Sequence, residues 1–291
     1  GGNIPPIWAR SEGADTKLIG LALIDAPHVV LTLPESGIRT VADLRGKRLS
    51  VPRRVNDQID FWRAGAIRTY EVALASEGLS LDDVELVDVP IAQGYIDPNG
   101  GSALTGSIFA SARGRGPLSG DLFALVEGRV DAIFTESSFA THLRRFLGAH
   151  VVYDVHSHPD PRVRHNNAIP QAFTVSAALV RDRPDLVARV VAQAILAAER
   201  ARREREHVIH VTALEANVPE EVADATYPLL EQQLATSLSP ELRDLIHLRK
   251  QFLLSHGFIR TDFDLDDWID PQPLRDAHAL LAERGLLRSA A

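Results

Sequence analysis

The feature that most constrains this chain is a change of rhythm at Pro184. Before it, short apolar runs of strand length alternate with segments of helical period; after it, every periodic stretch is helical. Strand-like runs read as Lys17–Leu23, Val29–Leu33, Arg48–Val51, Val84–Val89, Val130–Phe134, His150–Val155 and Ala172–Val180. Between them lie helical patterns at 40–44, 60–77, 121–127 and 139–147, several stopped by a glycine such as Gly46 or Gly78. Such alternation predicts an α/β fold with a mostly parallel sheet under covering helices. Residues 94–120 are rich in Gly, Ser and Arg without a steady period and read as a mobile loop.

The second half is expected to be helical. Leu186, Val187, Val190, Val191, Ala194 and Ile195 form one apolar stripe behind Pro184, and "RARRERE" (200–206) reads as the same helix's solvated face. Leu242, Leu245, Ile246, Leu248, Phe252 and Leu253 form another stripe, with Gly257 as its stop. The block from Pro34 to Val155 looks self-contained, so the chain is expected to form two hinged lobes with a cleft between them. One lobe would be 1–35 plus 165–291 and the other 36–164, with crossings near Pro34–Gly37 and His156–Pro170.

Charge and composition exclude some classes of function. With 31 Lys+Arg against 39 Asp+Glu the net charge is −8, which disfavours phosphate-backbone binding. No apolar run reaches the roughly 18 residues of a membrane span. The chain has no cysteine, so it holds no disulfide, thiolate metal site or cysteine nucleophile of its own. It also has no methionine, so residues upstream of Gly1 are expected in the natural protein, and the compartment cannot be read from the sequence.

Three stretches could carry chemistry. In "GGNIPPIWARSEG", Pro5 and Pro6 set up a helix start, and Gly1, Gly2 and Asn3 lie just before it, where backbone N–H groups could cradle an anion; the alternative is a turn that glycine permits. In "SVPRRVNDQIDFW", Arg53 and Arg54 end a strand and could grip an oxyanion, while Asn56 or Asp57 could cap the next helix. There the alternative is two surface arginines beside an ordinary cap. Trp62 fits a core position better than a ligand wall, and Thr135 at another strand end suits a ligand contact or a cap. "YDVHSHPDPRVRHNN" holds His156, His158 and His165, which read better as loop histidines than as metal ligands; His165 and Asn166 fall at the return crossing and suit a hinge or cleft role.

With these stretches placed, "VADLRGKRLSVPRR", "LSLDDVELVDV", "LFALVEGRVDAIF", "FTVSAALVRDRPDLVARV" and "KQFLLSHGFI…LDDWIDP" resemble, in order, the type II periplasmic-binding-protein-like fold in its sulfonate, taurine and NMT1-like branch. "GGNIPPIW" and "LDDWIDP" are most similar to the aromatic sulfinate desulfinases. The resemblance implies an enzyme without metal or organic cofactor, in which a cysteine assisted by a histidine attacks the sulfinate end and an arginine and a glycine amide hold its oxygens. Gly1 and Gly2 match the family's glycine pair, with Gly2 the implied oxyanion contact; the family's cysteine, histidine and arginine would fall upstream of this chain. Trp62 lies near the family's pocket tryptophan but out of register. The first lobe is thus expected to lack N-terminal strands.

Two functions follow as expectations. One is a desulfinase-like protein that binds an organic sulfinate or sulfonate in the cleft and, when complete, releases sulfite by hydrolytic C–S cleavage, in the cytoplasm. The other is an extracytoplasmic solute-binding protein that delivers such anions to an ABC permease without catalysis. The expected partner is a small organosulfur anion, with no nucleic acid and no metal, and nothing suggests an obligate interface, so a monomer is expected.

Overall fold

The computed structural model describes residues 2–92, 96–97, 101–102 and 119–286. Most of the glycine-rich 94–120 stretch, and Gly1, lie outside them. Two compact units emerge: 1–25, 165–208 and 229–291 form the first, 26–164 and 209–228 the second. The first division falls at Asp25, ten residues before the expected crossing. Residues 209–228 join the second unit because helix α9 (Glu220–Thr226) packs on α4 (Ser137–Leu147) there, an association no local pattern announces.

In the first unit, α1 (Ile4–Ser11) leads into β1 (Thr16–Ala22), which pairs antiparallel with β9 (Gln171–Ser176), Thr16 opposite Ser176 and Ala22 opposite Gln171. The expected strand over 172–180 ends early. Ser176 caps a short helix, α6 (Ala177–Asp182), by accepting from the Leu179 N–H, so "AALV" turns helical once the branched run is over. Helices α7 (Pro184–Ala201) and α13 (Gln272–Glu283) pack together, and Val187, Val191, Ile195, Ala277 and Leu281 close over Ile19 of β1. The "RARRERE" helix is interrupted: α7 stops at Ala201 and α8 (Arg205–Ala216) begins afresh. The arginines there do face solvent, Arg200 pairing with Glu204 and Arg202 with Glu199.

The second unit holds β3 (Arg48–Arg54) and β4 (Glu85–Ile91), parallel and in register from Arg48↔Glu85 to Arg54↔Ile91. A parallel bridge between Leu49 and Ala132 links β3 to the lead-in of β7 (Ile133–Glu136). Next to β7 runs β2 (His28–Thr32) and then β8 (His150–Asp154), both contacts of β2 being antiparallel. The sheet is therefore mixed rather than mostly parallel, because β2 enters this unit at the end where β7 and β8 leave. β5 (Ile96–Asp97) and β6 (Gly101–Ser102) form a small antiparallel pair. Along β7 alternate residues take opposite faces. Phe134 meets Trp62 of α2 (Phe61–Ala75), whereas Ile133 belongs to the core of Leu122 and Leu125 from α3 (Ser119–Val126) and Ala140 and Leu143 from α4.

Candidate functional site

Around the start of α1 the donors are already committed. The Asn3 N–H donates to the Asn167 carbonyl at 2.7 Å and the Ile4 N–H to Asn167 Oδ1 at 3.1 Å; Pro5 and Pro6 have no N–H, and the Ile7 N–H returns to the Asn3 carbonyl. Asn3 is fully buried, and its Nδ2 donates to the carbonyls of Asn166 at 2.7 Å and Pro170 at 2.8 Å. Asn166 is equally buried, exchanges backbone hydrogen bonds with Ile169 and accepts from the Asn167 N–H through Oδ1; His165 is 4% exposed. Of the expected ligand contacts, Asn3 and Asn166 are thus interior groups in the join between α1 and the 165–170 segment, and His165, next to Asn166 in sequence, is nearly buried. Gly1 lies outside the described residues. Gly2 remains at this end with no backbone partner among the described residues, and a Cβ there would stand 2.6 Å from the Asn167 amide, which would have to move.

In the second unit the carboxyl ends of β3, β7 and β8 gather the other residues. Arg53 is exposed, 3.8 Å from Asp88. Arg54 is buried, ion-paired with Asp57 and stacked 5.4 Å over the Phe61 ring. Its charge is neutralised in place, which leaves Arg53 as the accessible member of the expected pair. The cap of α2 is Asp60, not Asn56 or Asp57: it accepts from Arg63 N at 2.9 Å and from Arg54 N at 2.7 Å. Burial raises the Asp60 pKa against those hydrogen bonds. Asn56 donates instead to the Ala92 carbonyl. Trp62 is 4% exposed with its edge against Phe134, and Thr135 is 1% exposed; Trp62 Nε1 and Thr135 Oγ1 have no hydrogen-bond partner among the described residues.

Sequence reasoning missed His28. Its ring has no exposure, stacks near Phe134 with centroids 6.3 Å apart, sits 2.9 Å from the Ala26 carbonyl through Nδ1 and places Nε2 3.0 Å from Glu136 Oε2. Strand register brings this about, since His28 lies opposite Glu136 and Val29 opposite Asp154. Burial pushes the Asp154 carboxyl up, opposed by N–H donors of His156 and His28. Ser137, the next residue along, adopts φ 57°, a left-handed turn from β7 into α4 that a non-glycine residue tolerates at a cost of about 1–3 kcal/mol. "APHVV" gives no sign of this in sequence, because the histidine acquires its carboxylate only from a strand more than a hundred residues away. Among the described residues no cluster of three His, Asp or Glu could hold a metal, and no helix is long and apolar enough to cross a membrane.

Residues 5–102 match the NMT1/THI5-like family model. The chain is 27% identical to the 2'-hydroxybiphenyl-2-sulfinate desulfinases of Rhodococcus erythropolis and Rhodococcus qingshengii, over 95% of this chain and 79% of theirs. It is similar to the crystal structure of the desulfurization enzyme DszB, with TM-score 0.76, 25% identity, and coverage of 96% of this chain and 84% of that one. A variant of DszB in complex with biphenyl-2-sulfinic acid gives TM-score 0.77 at 26% identity over the same shares. The periplasmic aliphatic sulphonate binding protein SsuA of Escherichia coli shares the fold at TM-score 0.62 and 19% identity, over 92% of this chain and 73% of SsuA. The chain has the type II periplasmic-binding-protein-like fold, and within it resembles both a sulfinate desulfinase and the sulfonate-binding proteins.

Proposed function

We propose that this chain is the anion-binding body of a desulfinase-like enzyme that takes an aryl sulfinate. The observation that carries the reading is likeness to an enzyme crystallised with biphenyl-2-sulfinic acid, at 26% identity across 96% of the chain. The start of α1 agrees with it. There the Gly2 N–H has no partner among the described residues while the Asn3, Ile4 and Ile7 N–H groups are used internally, and a side chain at Gly2 would displace the Asn167 amide. An amide at such a position stabilises an oxyanion without reorganising during reaction.

The reaction is hydrolysis: an aryl sulfinate and water give the arene and hydrogen sulfite, the arene carbon taking a proton as the C–S bond breaks. The chain contains no cysteine, so a thiolate nucleophile would come from residues other than these 291. The same fact favours a second reading, a solute-binding protein that holds a sulfonate or sulfinate for an ABC permease and catalyses nothing. The enzyme would work in the cytoplasm, the binding protein outside it, each as a monomer and without cofactor.

One experiment separates the two. The protein with its natural upstream residues is incubated with biphenyl-2-sulfinate, sulfite is measured colorimetrically, and binding is followed by calorimetry. Sulfite release that iodoacetamide abolishes supports the enzyme. Binding without release supports the transport reading, and a protein that neither binds nor cleaves overturns both.

A further inference from the structure

The second unit contains a cavity of about 580 Å³ that the proposed reaction does not use. Its floor is apolar, built from Pro27, Val29, Ala140 and Val151 where β2 and β8 pass beneath α4. One wall is a hydroxyl pair, Thr226 Oγ1 of α9 lying 2.9 Å from Thr141 Oγ1 of α4. At the mouth stand Arg144 and Arg145, both exposed. Among the described residues, neither guanidinium makes a hydrogen bond or an ion pair.

Many arginines are matched with carboxylates, among them Arg48 with Asp131, Arg63 with Asp88, Arg129 with Glu127 and Arg183 with Asp185. In the larger depression of the first unit, Lys250 Nζ lies 2.6 Å from Asp262, while Arg243 donates to the Leu238 carbonyl. Exposed arginines without a carboxylate among the described residues occur elsewhere, Arg203 and Arg260 among them; Arg144 and Arg145 are adjacent and line one cavity together. Their place in the last turn of α4 suits the helix dipole and accounts for basic residues there, but not for the cavity between them. The positive field is felt locally: burial and then the charge of Arg145 hold the His142 pKa below its ordinary value. The one carboxylate on the cavity wall, Asp154, takes backbone N–H donors from His156 and His28.

We infer that this cavity binds an aromatic monoanion, its ring on the Val29–Ala140–Val151 floor and its carboxylate or sulfonate against Arg144 and Arg145. Guanidinium groups suit planar, bidentate recognition of such oxyanions. Pro27 and Pro228 line the cavity beside two of the points where the chain passes between units, after Asp25 and at Pro228.

The test uses the whole chain with benzenesulfonate, benzoate and the neutral isostere benzamide. Calorimetry measures binding to the wild type, the double variant Arg144→Gln/Arg145→Gln, and Ala225→Trp, which plugs the mouth from an exposed position. Phenylglyoxal modification read by mass spectrometry then locates the occupant. The expected result is binding of both anions and not of benzamide, weakened about tenfold or more in the double variant and in the plugged one. Benzenesulfonate should protect Arg144 and Arg145 but not Arg181, an arginine of the first unit. Equal affinity in the double variant, or no protection of either arginine, overturns the inference. Neither result depends on sulfite release, so failure of the desulfinase reading leaves this one standing.

Discussion

Replacing Asn3 by alanine tests whether the α1 start is a scaffold or a ligand-contacting surface. The substitution removes two fully buried hydrogen bonds, to the Asn166 and Pro170 carbonyls. The Asn166 carbonyl keeps the Ile169 N–H as a donor. The Pro170 carbonyl has no other donor among the described residues. Two lost bonds at about 1 kcal/mol each, plus about 1–3 kcal/mol for a stranded buried carbonyl, give a destabilisation of about 3–5 kcal/mol. Asn3→Asp is the more discriminating variant, because its carboxylate would face both carbonyl oxygens and could donate only when protonated. Its pKa in the folded state must then rise above the unfolded value near 4. The stability recovered by protonation is fully present below that unfolded value and lost as pH rises through the raised folded pKa. Urea unfolding followed through Trp8 and Trp268, both in the first unit, reads the free energy; hydrogen exchange at Ile4 and Ile7 reads the local opening. A cost under about 1 kcal/mol for Asn3→Ala, or a pH-independent stability difference between Asn3→Asp and Asn3→Ala, would refute the scaffold argument.

Further outcomes are expected from the same structure. Gly2→Ala should displace the Asn167 side chain and uncap Ile4, at about 1–2 kcal/mol; an added Asn167→Gly should make the double-mutant cost less than the sum, and strict additivity would remove the steric account. Burial pushes the Asp121 carboxyl up to about 7, so the folded state holds a proton there that the unfolded state releases near pH 4. That costs stability progressively from about pH 4 to about pH 7, so Asp121→Asn should gain on the wild type across that window in denaturation curves, and a flat difference would contradict it. Trp268, fully buried with Nε1 3.1 Å from Thr16 Oγ1 and its edge on Phe263, should cost about 3–5 kcal/mol when cut to alanine, and distinctly less as Trp268→Phe.

Sequence alone carried the local decisions. Pro5 and Pro6 at the head of α1, Gly13, Gly46, Gly78 and Gly257 as positive-φ stops, and the strand runs read as Lys17–Leu23 and Arg48–Val51, found as Thr16–Ala22 and Arg48–Arg54, follow from constraints within a few residues. The quoted motifs also carried the resemblance to a binding-protein fold with a desulfinase relative. What sequence misplaced depended on partners distant in the chain. Asn3 looked available until the 165–170 segment closed over it. Pro219–Pro228 looked like part of one helical lobe until α9 packed on α4. His28 was silent because strand register alone set it beside Glu136. Backbone propensity is a property of short windows, and a chain can display it unfolded. Burial and charge compensation exist only after long-range contacts form, so tertiary structure alone decided which polar groups are interior supports and which still face solvent.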